Sequence, residues 1–290
     1  MNIGILIFSE PSQEKYSSAD RLVDAGKAMG HNVVKLYEPH LSFYKETIAH
    51  DGKPLPNLDV IIARPNFIEE PSLRLHVIEA LMSHYPVVSG LGNIAASKNK
   101  ITQHLLFEKN NLQCPRWGLA RRSQDVRRMA KEIGYPVILK VAFGTHGKGV
   151  FYASDQETID PIAEYLSIRD GNPMIVEEFV AEADRKDLRI FIVGNEIIAA
   201  MERQAPEGDV RANTSTGGIG TKVELTDEEV ALAKRAADVF DLEIAGVDLI
   251  RSDRGPLILE INSNPGFKEL ERVTGVDVGK AIIEYAIKQK

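Results

Sequence analysis

Near the C-terminus, two runs of Val, Ile and Leu at 244–250 and 257–261 flank the turn-forming Ser252-Asp253-Arg254-Gly255. Apolar β-branched runs joined by such a turn predict a hairpin of core strands. Its polar members are Asp248, Glu260 and Asn262. Glu260 and Asn262 have the same parity and so share one face of their strand, and the partner strand can set Asp248 beside them. As a strand cap and a solvated edge these three would need no partner. Within strands this apolar, an acidic group requires a counter-charge or a metal. Carboxylate and amide oxygens without Cys or His favour Mg²⁺ or Mn²⁺, which commonly rest on a few carboxylates plus nucleotide phosphates. The hairpin therefore points to a nucleotide-metal enzyme.

At 290 residues the chain exceeds a typical single domain, so two or three subdomains are expected. It is 43% hydrophobic, yet no apolar run approaches the roughly 18 to 20 residues that cross a bilayer, so a soluble globular protein without membrane contact is expected. Residues 1–8 lack a basic lead and a small-residue cleavage site and read as a first buried strand. The lone Cys114 excludes an internal disulfide framework and fits a reducing cytoplasm. A net charge of -7 argues against general nucleic-acid binding.

Strand and helix signals alternate along the first third. Strands are expected at 3–8, 32–36, 60–63 and 87–89 and helices at 18–29 and 72–84, which is an open parallel α/β unit ending near Gly90-Leu91-Gly92. A helix is expected at 97–110, a strand at 117–120, a helix at 123–133, strands at 137–141 and 150–153, and a helix at 158–166. Strands at 174–179, 187–193 and 196–202 then follow closely, which predicts antiparallel pairing with Gly194-Asn195 as a hairpin turn. Helices at 226–240 and 277–287 complete the pattern. The expected units are 1–93, 94–173 and 174–290.

Two further segments carry chemical signals. Gly144, Gly147 and Gly149 lie between two strands, where a glycine loop can bring backbone N–H groups close to phosphate oxygens or simply form a hairpin turn. No Gly-Lys-Ser/Thr opens a helix there, so this is not a Walker A loop. Lys140 ends the preceding apolar strand, where a cation is costly unless it meets an anion such as a phosphate. The segment Met174-Ile175-Val176-Glu177-Glu178-Phe179-Val180, followed by Asp187, could offer an apolar wall to adenine and a carboxylate to ribose.

In this order, Pro136-Val137-Ile138-Leu139-Lys140 with its glycine loop, Val176-Glu177-Glu178-Phe179-Val180, Asp248 and Glu260-Ile261-Asn262-Ser263-Asn264-Pro265-Gly266 resemble the ATP-grasp superfamily of carboxylate-amine ligases. Residues 200–213 and 245–257 are similar to the RimK-type α-L-glutamate ligases, whose known member adds glutamates to the C-terminus of a small-subunit ribosomal protein. The resemblance covers essentially the whole chain. It implies an ATP-grasp fold, α/β to α+β, behind an N-terminal open α/β pre-ATP-grasp domain. It also implies ATP, two Mg²⁺ or Mn²⁺ ions, and L-glutamate added to an acceptor protein or peptide C-terminus or joined into poly-α-glutamate, with a homo-oligomer in the cytoplasm. By position, Lys100 and Lys140 correspond to the two ATP-binding lysines, Glu178 and Phe179 to the adenine hinge and Asp187 to the ribose side. Arg211, Ala212 and Asn213 correspond to the segment that closes over phosphates and substrate, and Arg203 to a group facing the γ-phosphate or acyl-phosphate. Asp248, Glu260 and Asn262 correspond to the metal ligands, and Lys140, Arg203 and Asn213 to the catalytic set.

The chain departs from that pattern at Thr216, where an arginine usually precedes the Gly217-Gly218 pair, and in the N-terminal unit. There, Arg64-Pro65-Asn66-Phe67 and Glu69-Glu70 are expected to read the acceptor. A ligase of a small metabolite or cofactor, and an ATP-binding regulatory protein of the same fold, are the alternatives. The implied reaction transfers the γ-phosphoryl group to a carboxylate, and an amine then displaces phosphate from the acyl-phosphate. Positioning and charge neutralisation suffice for this, which suits lysines, arginines and carboxylates without a nucleophile. The glycine loop and residues 204–221 are expected to act as lids.

Overall fold

The computed structural model describes residues 1–11, 16–45, 47–66, 74–89, 92–142, 149–169, 172–209 and 218–290. The chain opens with β1 (Asn2–Ile7), α1 (Ser18–Ala28) and β2 (Asn32–Tyr37), continues through the short β3 (Leu41–Tyr44), β4 (Thr47–His50) and β5 (Lys53–Pro54), and returns with β6 (Val60–Arg64), α2 (Leu75–Met82) and β7 (Val87–Val88). The expected parallel sheet forms in the order β2-β1-β6-β7. Strands β3–β5 make a separate antiparallel sheet that periodicity does not announce, because its strands have two to four residues and little burial. Helix α1 begins at a capping box, with the Ser17 hydroxyl accepting from the Asp20 amide and the Asp20 carboxylate accepting from the Ser17 amide.

Next come α3 (Ile94–Lys98), α4 (Lys100–Lys109), β8 (Trp117–Ala120), α5 (Ser123–Ile133), β9 (Val137–Val141), β10 (Val150–Ala153), α6 (Gln156–Arg169) and β11 (Met174–Glu178). The single helix expected at 97–110 is two. Asn99 leaves helical geometry at φ -109°, ψ 108° and its carboxamide oxygen caps α4 by accepting from Ile101 N at 2.9 Å and Thr102 N at 3.3 Å. The antiparallel sheet runs β10-β9-β11-β8, with α5 and α6 packing Val126, Ala130, Ile159 and Ala163 on Val137, Leu139 and Val176. A boundary at 173/174 would cut β11 out of this sheet. Helix α4 meets both this sheet, with the His104 ring 4.8 Å from that of Trp117, and α7, with Phe107 5.9 Å from the ring of Phe240.

The remainder comprises β12 (Lys186–Val193), β13 (Glu196–Gln204), β14 (Ile219–Lys222), α7 (Asp227–Phe240), β15 (Ile244–Ser252), β16 (Gly255–Asn262), α8 (Lys268–Thr274) and α9 (Val278–Ile287). These strands form one antiparallel sheet, β14-β13-β12-β15-β16. Gly194-Asn195 is the tight turn expected between β12 and β13, which pair Val193 with Glu196. On one face, Leu188 and Ile190 pack with Leu232, Ala236 and Phe240 of α7. On the other, Phe191 and Met201 cluster with Phe267, Leu270 and Ile282, and with Ile5 and Val60 of the N-terminal sheet. Both faces are therefore covered, which is why these strands read as near-continuous apolar runs. Among the described residues no helix is long and apolar enough to cross a membrane.

Phe107 has no exposed surface and meets Phe240 on one side and the His104 ring, 5.8 Å away, on the other. Truncation to Ala leaves a cavity, so Phe107→Ala should cost about 3–5 kcal/mol in denaturant unfolding. A loss below about 1 kcal/mol would contradict this packing.

Candidate active site

The C-terminal sheet sets charged side chains in a row. Asp187 and Arg189 have the same parity on β12; Arg203 lies opposite Asp187, Asp248 opposite Arg189, and Glu260 opposite Asp248. Arg203 donates to both carboxylate oxygens of Asp187, Nε at 2.6 Å and Nη2 at 2.9 Å, and its Nη2 lies 3.0 Å from Asp248 Oδ2. Arg189 forks onto Asp248 in the same way, at 2.5 Å and 2.8 Å. Planar guanidinium forks match two carboxylate oxygens, so the pairs fix orientation as well as charge. Burial alone would lower the Arg203 pKa, but Asp248 and Asp187 raise it above its ordinary value. Asp187 moves up, first from burial, with the charge of Asp248 adding and Arg203 opposing.

A second group forms where α4 meets β16 and β9. Lys100, the first residue of α4, donates to Glu260 Oε2 at 2.7 Å, and Asn262 donates its side-chain amide to Glu260 Oε1 at 3.0 Å. Burial would raise the Glu260 carboxyl, yet the charge and hydrogen bond of Lys100, with Asn262, hold it well below the usual range. Lys140 donates to Glu177 Oε1 at 2.5 Å, while His104 Nε2 lies 2.8 Å from Glu177 Oε2. Glu177 is 2% exposed. Burial works against its charge, but Lys140 and then His104 bring its pKa down to about 2.

Backbone contacts lock these parts together. The Lys100 amide donates to Ala142 O at 3.0 Å, tying α4 to the end of β9. Gln103 stands in for a neighbouring strand at the sheet edge: its Oε1 accepts from Ile261 N at 2.8 Å and its Nε2 donates to Ile261 O at 3.2 Å and Ser97 O at 2.6 Å. Ile261 lies between Glu260 and Asn262, so this clamp sets their direction. A bulge after Asp248 shifts the register from Asp248–Glu260 to Leu249–Ile258 and places the extra residue, Leu259, beside Glu260. Gly149, where the glycine loop re-enters β10, has φ +80°; a Cβ there would sit 2.3 Å from Val141 Cγ2, so only glycine fits.

The residues expected from sequence are therefore partly assembled. Asp248, Glu260 and Asn262 come together, with Lys100 and Arg203 beside them, and Lys140 joins through Glu177. Glu178 faces away from Lys140: it accepts from Arg116 N at 3.1 Å and from Arg254 Nη2 at 2.7 Å. Phe179 packs edge-on to Tyr152, 5.1 Å between centroids, and its amide donates to Pro136 O at 3.4 Å. Gly144, Gly147, His146, Phe67, Glu69, Glu70, Arg211, Ala212, Asn213, Thr216 and Gly217 lie outside the described residues. Sequence reasoning missed Glu177, His104, Arg189 and Gln103. The spacing of Lys100, Gln103 and His104 on one helix was a usable signal. Arg189 had none, because its partner is set by pairing of β12 with a distant strand.

The oxygen donors of Asp248, Glu260 and Asn262 suit Mg²⁺, and the nearby lysines and arginines suit the phosphates that would accompany it. A parallel α/β unit, a four-stranded antiparallel sheet and a five-stranded antiparallel sheet framing such a site define the ATP-grasp class. Residues 97–286 match the RimK-like ATP-grasp domain. The chain is 36% identical over 295 residues to the "Probable alpha-L-glutamate ligase" of Aliivibrio salmonicida (strain LFI1238), covering 98% of this chain and 95% of that one. In fold it is similar to the RimK domain ATP-grasp protein from Sphaerobacter thermophilus, with TM-score 0.72 at 19% identity over 99% and 100% of the two chains. It is also similar to the ATP-grasp ligase PsnB complexed with minimal precursor, Mg and ADP, with TM-score 0.75 at 18% identity over 99% and 97%. The chain belongs to the RimK-like ATP-grasp family.

The Glu177 carboxylate gives a pH test. Its pKa falls from the ordinary 4.5 to about 2 on folding, so its contribution to stability is complete above pH 4.5 and is lost as pH falls toward 2. Removing the cation in Lys140→Met should cost about 3 kcal/mol at neutral pH, because Glu177 loses its main counter-charge. That deficit should shrink on acidification, as Glu177 takes up a proton in the variant before it does in wild type. Urea unfolding of both proteins at neutral pH and near pH 4 checks this; a deficit independent of pH would contradict the pairing.

Proposed function

We propose that the protein is an ATP- and Mg²⁺-dependent carboxylate-amine ligase that adds L-glutamate through an acyl-phosphate to the C-terminal carboxylate of a protein or peptide. The observation that carries this reading is the paired set of Lys100–Glu260, Lys140–Glu177 and Arg203–Asp248, beside the oxygen donors of Asp248, Glu260 and Asn262. Phosphoryl transfer asks for that kind of charge placement and little covalent chemistry from the protein. Cys114 supports the same view, since burial, followed by the charge of Glu177, pushes its thiol up to about 12 and makes it a poor nucleophile. The glutamate assignment is supported by the name of the 36% identical relative, and the peptide acceptor by the precursor bound in the PsnB structure.

In this reading Lys140 and Lys100 grip the ATP phosphates. Residues Glu178 and Phe179 border the adenine, and Asp187 borders the ribose. Asp248, Glu260 and Asn262 would hold Mg²⁺, which supplies charge neutralisation and orientation of the phosphates when bound. Arg203 is held by Asp187 and Asp248, so its guanidinium can stabilise charge on the transferring phosphoryl group without reorganising. The γ-phosphoryl group passes to the acceptor carboxylate, ADP leaves, and the glutamate amine attacks the acyl carbon and expels phosphate. The chain then divides into an N-terminal α/β unit to about residue 93, a central unit that includes β11, and a C-terminal unit, with α4 meeting both of the latter.

Incubation with ATP, Mg²⁺, L-glutamate and an acceptor peptide should give ADP and phosphate, and a peptide lengthened by glutamate residues in mass spectrometry. Chelation of the metal should stop the reaction, and Glu260→Gln should lower kcat by at least about a hundredfold. AMP and pyrophosphate as products would overturn the acyl-phosphate mechanism. ADP without added glutamate mass would overturn the substrate.

A further inference from the structure

The N-terminal sheet ends in a buried cation that the catalytic set does not use. In the order β2-β1-β6-β7 the connections reverse direction between β1 and β6, and ligands of open α/β sheets bind outside the carboxyl ends of strands at that point. Arg64 is the last residue of β6 and is 3% exposed. Its Nη2 donates to Pro265 O at 2.8 Å and, at 3.5 Å, to Ser18 Oγ; its guanidinium lies 5.7 Å from the centroid of the Phe267 ring. Its Nε is buried with no hydrogen-bond partner, and among the described residues no carboxylate pairs with it. Burial lowers its pKa to about 10 with no opposing charge to offset the effect.

The surroundings point to an anion at this place. Pro265 lies on the turn that leaves β16 just after Glu260 and Asn262, so Arg64 reaches from the N-terminal unit to the edge of the metal site. The Lys98 ammonium donates to Pro65 O at 2.6 Å, and burial, followed by the charge of Arg64, lowers its pKa to about 8. The two cations therefore sense each other. Ser89 Oγ, a hydroxyl donor at the carboxyl end of β7, is also buried without a partner. Carbonyl and hydroxyl partners solvate a guanidinium but do not neutralise it, and a buried cation left this way is unfavourable unless an anion completes it. Gly246 lets the Pro265 turn close on β15, where a Cβ would meet Pro265 Cβ at 2.6 Å, so the position of that carbonyl is fixed by packing.

We propose that Arg64 binds the unreacted α-carboxylate of the incoming amino acid and so directs its amine toward the acyl-phosphate. This rests on the ligase reading above. With Nη2 given to Pro265, the unpartnered Nε–H of Arg64 remains as a donor carrying a charge that a carboxylate matches and a neutral amide does not. It also explains why a cation is retained at a strand end that Met or Gln could fill.

Isothermal titration of the enzyme with Mg²⁺ and AMPPNP present tests this with L-glutamate, its α-carboxamide and its γ-carboxamide. Wild type should bind L-glutamate and the γ-carboxamide, and bind the α-carboxamide at least about tenfold more weakly. Arg64→Met, which removes the charge but keeps the length, should lose that discrimination while retaining AMPPNP affinity and thermal stability; Arg64→Lys should restore part of it. Equal binding of the α-carboxamide and glutamate by wild type, no amino-acid binding at all, or unchanged discrimination in Arg64→Met would overturn the assignment. A purely structural arginine would instead lower the melting temperature and leave discrimination untouched. ADP formation, measured on the same samples, reports separately on the ligase reading.

Discussion

The Asp248 carboxylate, shared between Arg189 and Arg203 and placed opposite Glu260, is the interaction round which the molecule is organised. Four of the five strands of the C-terminal sheet supply a member of this row, so its geometry fixes the mutual register of β13, β12, β15 and β16. A one-residue slip in any pair would turn a charge into the apolar clusters on the opposite face, at a cost of several kcal/mol. Polar register and apolar packing thus specify the same arrangement. The bulge after Asp248 and the Gln103 clamp then aim the last two members, Glu260 and Asn262, toward α4.

Charge balance follows from this arrangement. Lys100, Lys140, Arg189 and Arg203 face Glu260, Glu177, Asp248 and Asp187, and each cation has a carboxylate within 3.0 Å. On the proposed reading, ATP would bring negative charge to the lysines and arginines, and Mg²⁺ positive charge to the carboxylates. Either one alone would leave part of the set uncompensated; together they would exchange partners at nearly constant charge. Preorganised groups of this kind need little reorganisation during phosphoryl transfer. Among the described residues Arg64 pairs with no carboxylate and lies outside this balance.

Much of this was legible in the sequence. The apolar runs round Asp248 and Glu260 announced their hairpin, and strict alternation put Glu260 and Asn262 on one face. Lys140 betrayed itself as a cation at the end of a buried strand. Its counter-ion was harder: Glu177 and Glu178 are adjacent in an apolar strand, and only the pairing of β11 with β9 decides that Glu177 points to Lys140 while Glu178 turns to Arg116 and Arg254. Arg189 has no local signal, since its partner is 59 residues away and chosen by strand order. The break at Asn99 was misread because Ser, Lys and Asn are all tolerated within helices. The meeting of α4 with α7 through Phe107 and Phe240 is likewise a contact that no local pattern encodes.

Calorimetric binding of Mg²⁺ alone, AMPPNP alone and the two together tests the charge balance most directly. Exchange of partners within a balanced set predicts weak binding of each by itself and at least about tenfold tighter binding of each in the presence of the other, with equal coupling in both directions. Removing one pair in Lys100→Met should reduce that coupling. AMPPNP that binds with the same affinity whether or not Mg²⁺ is present would show that the carboxylates and cations act independently, and would contradict the balance on which the site depends.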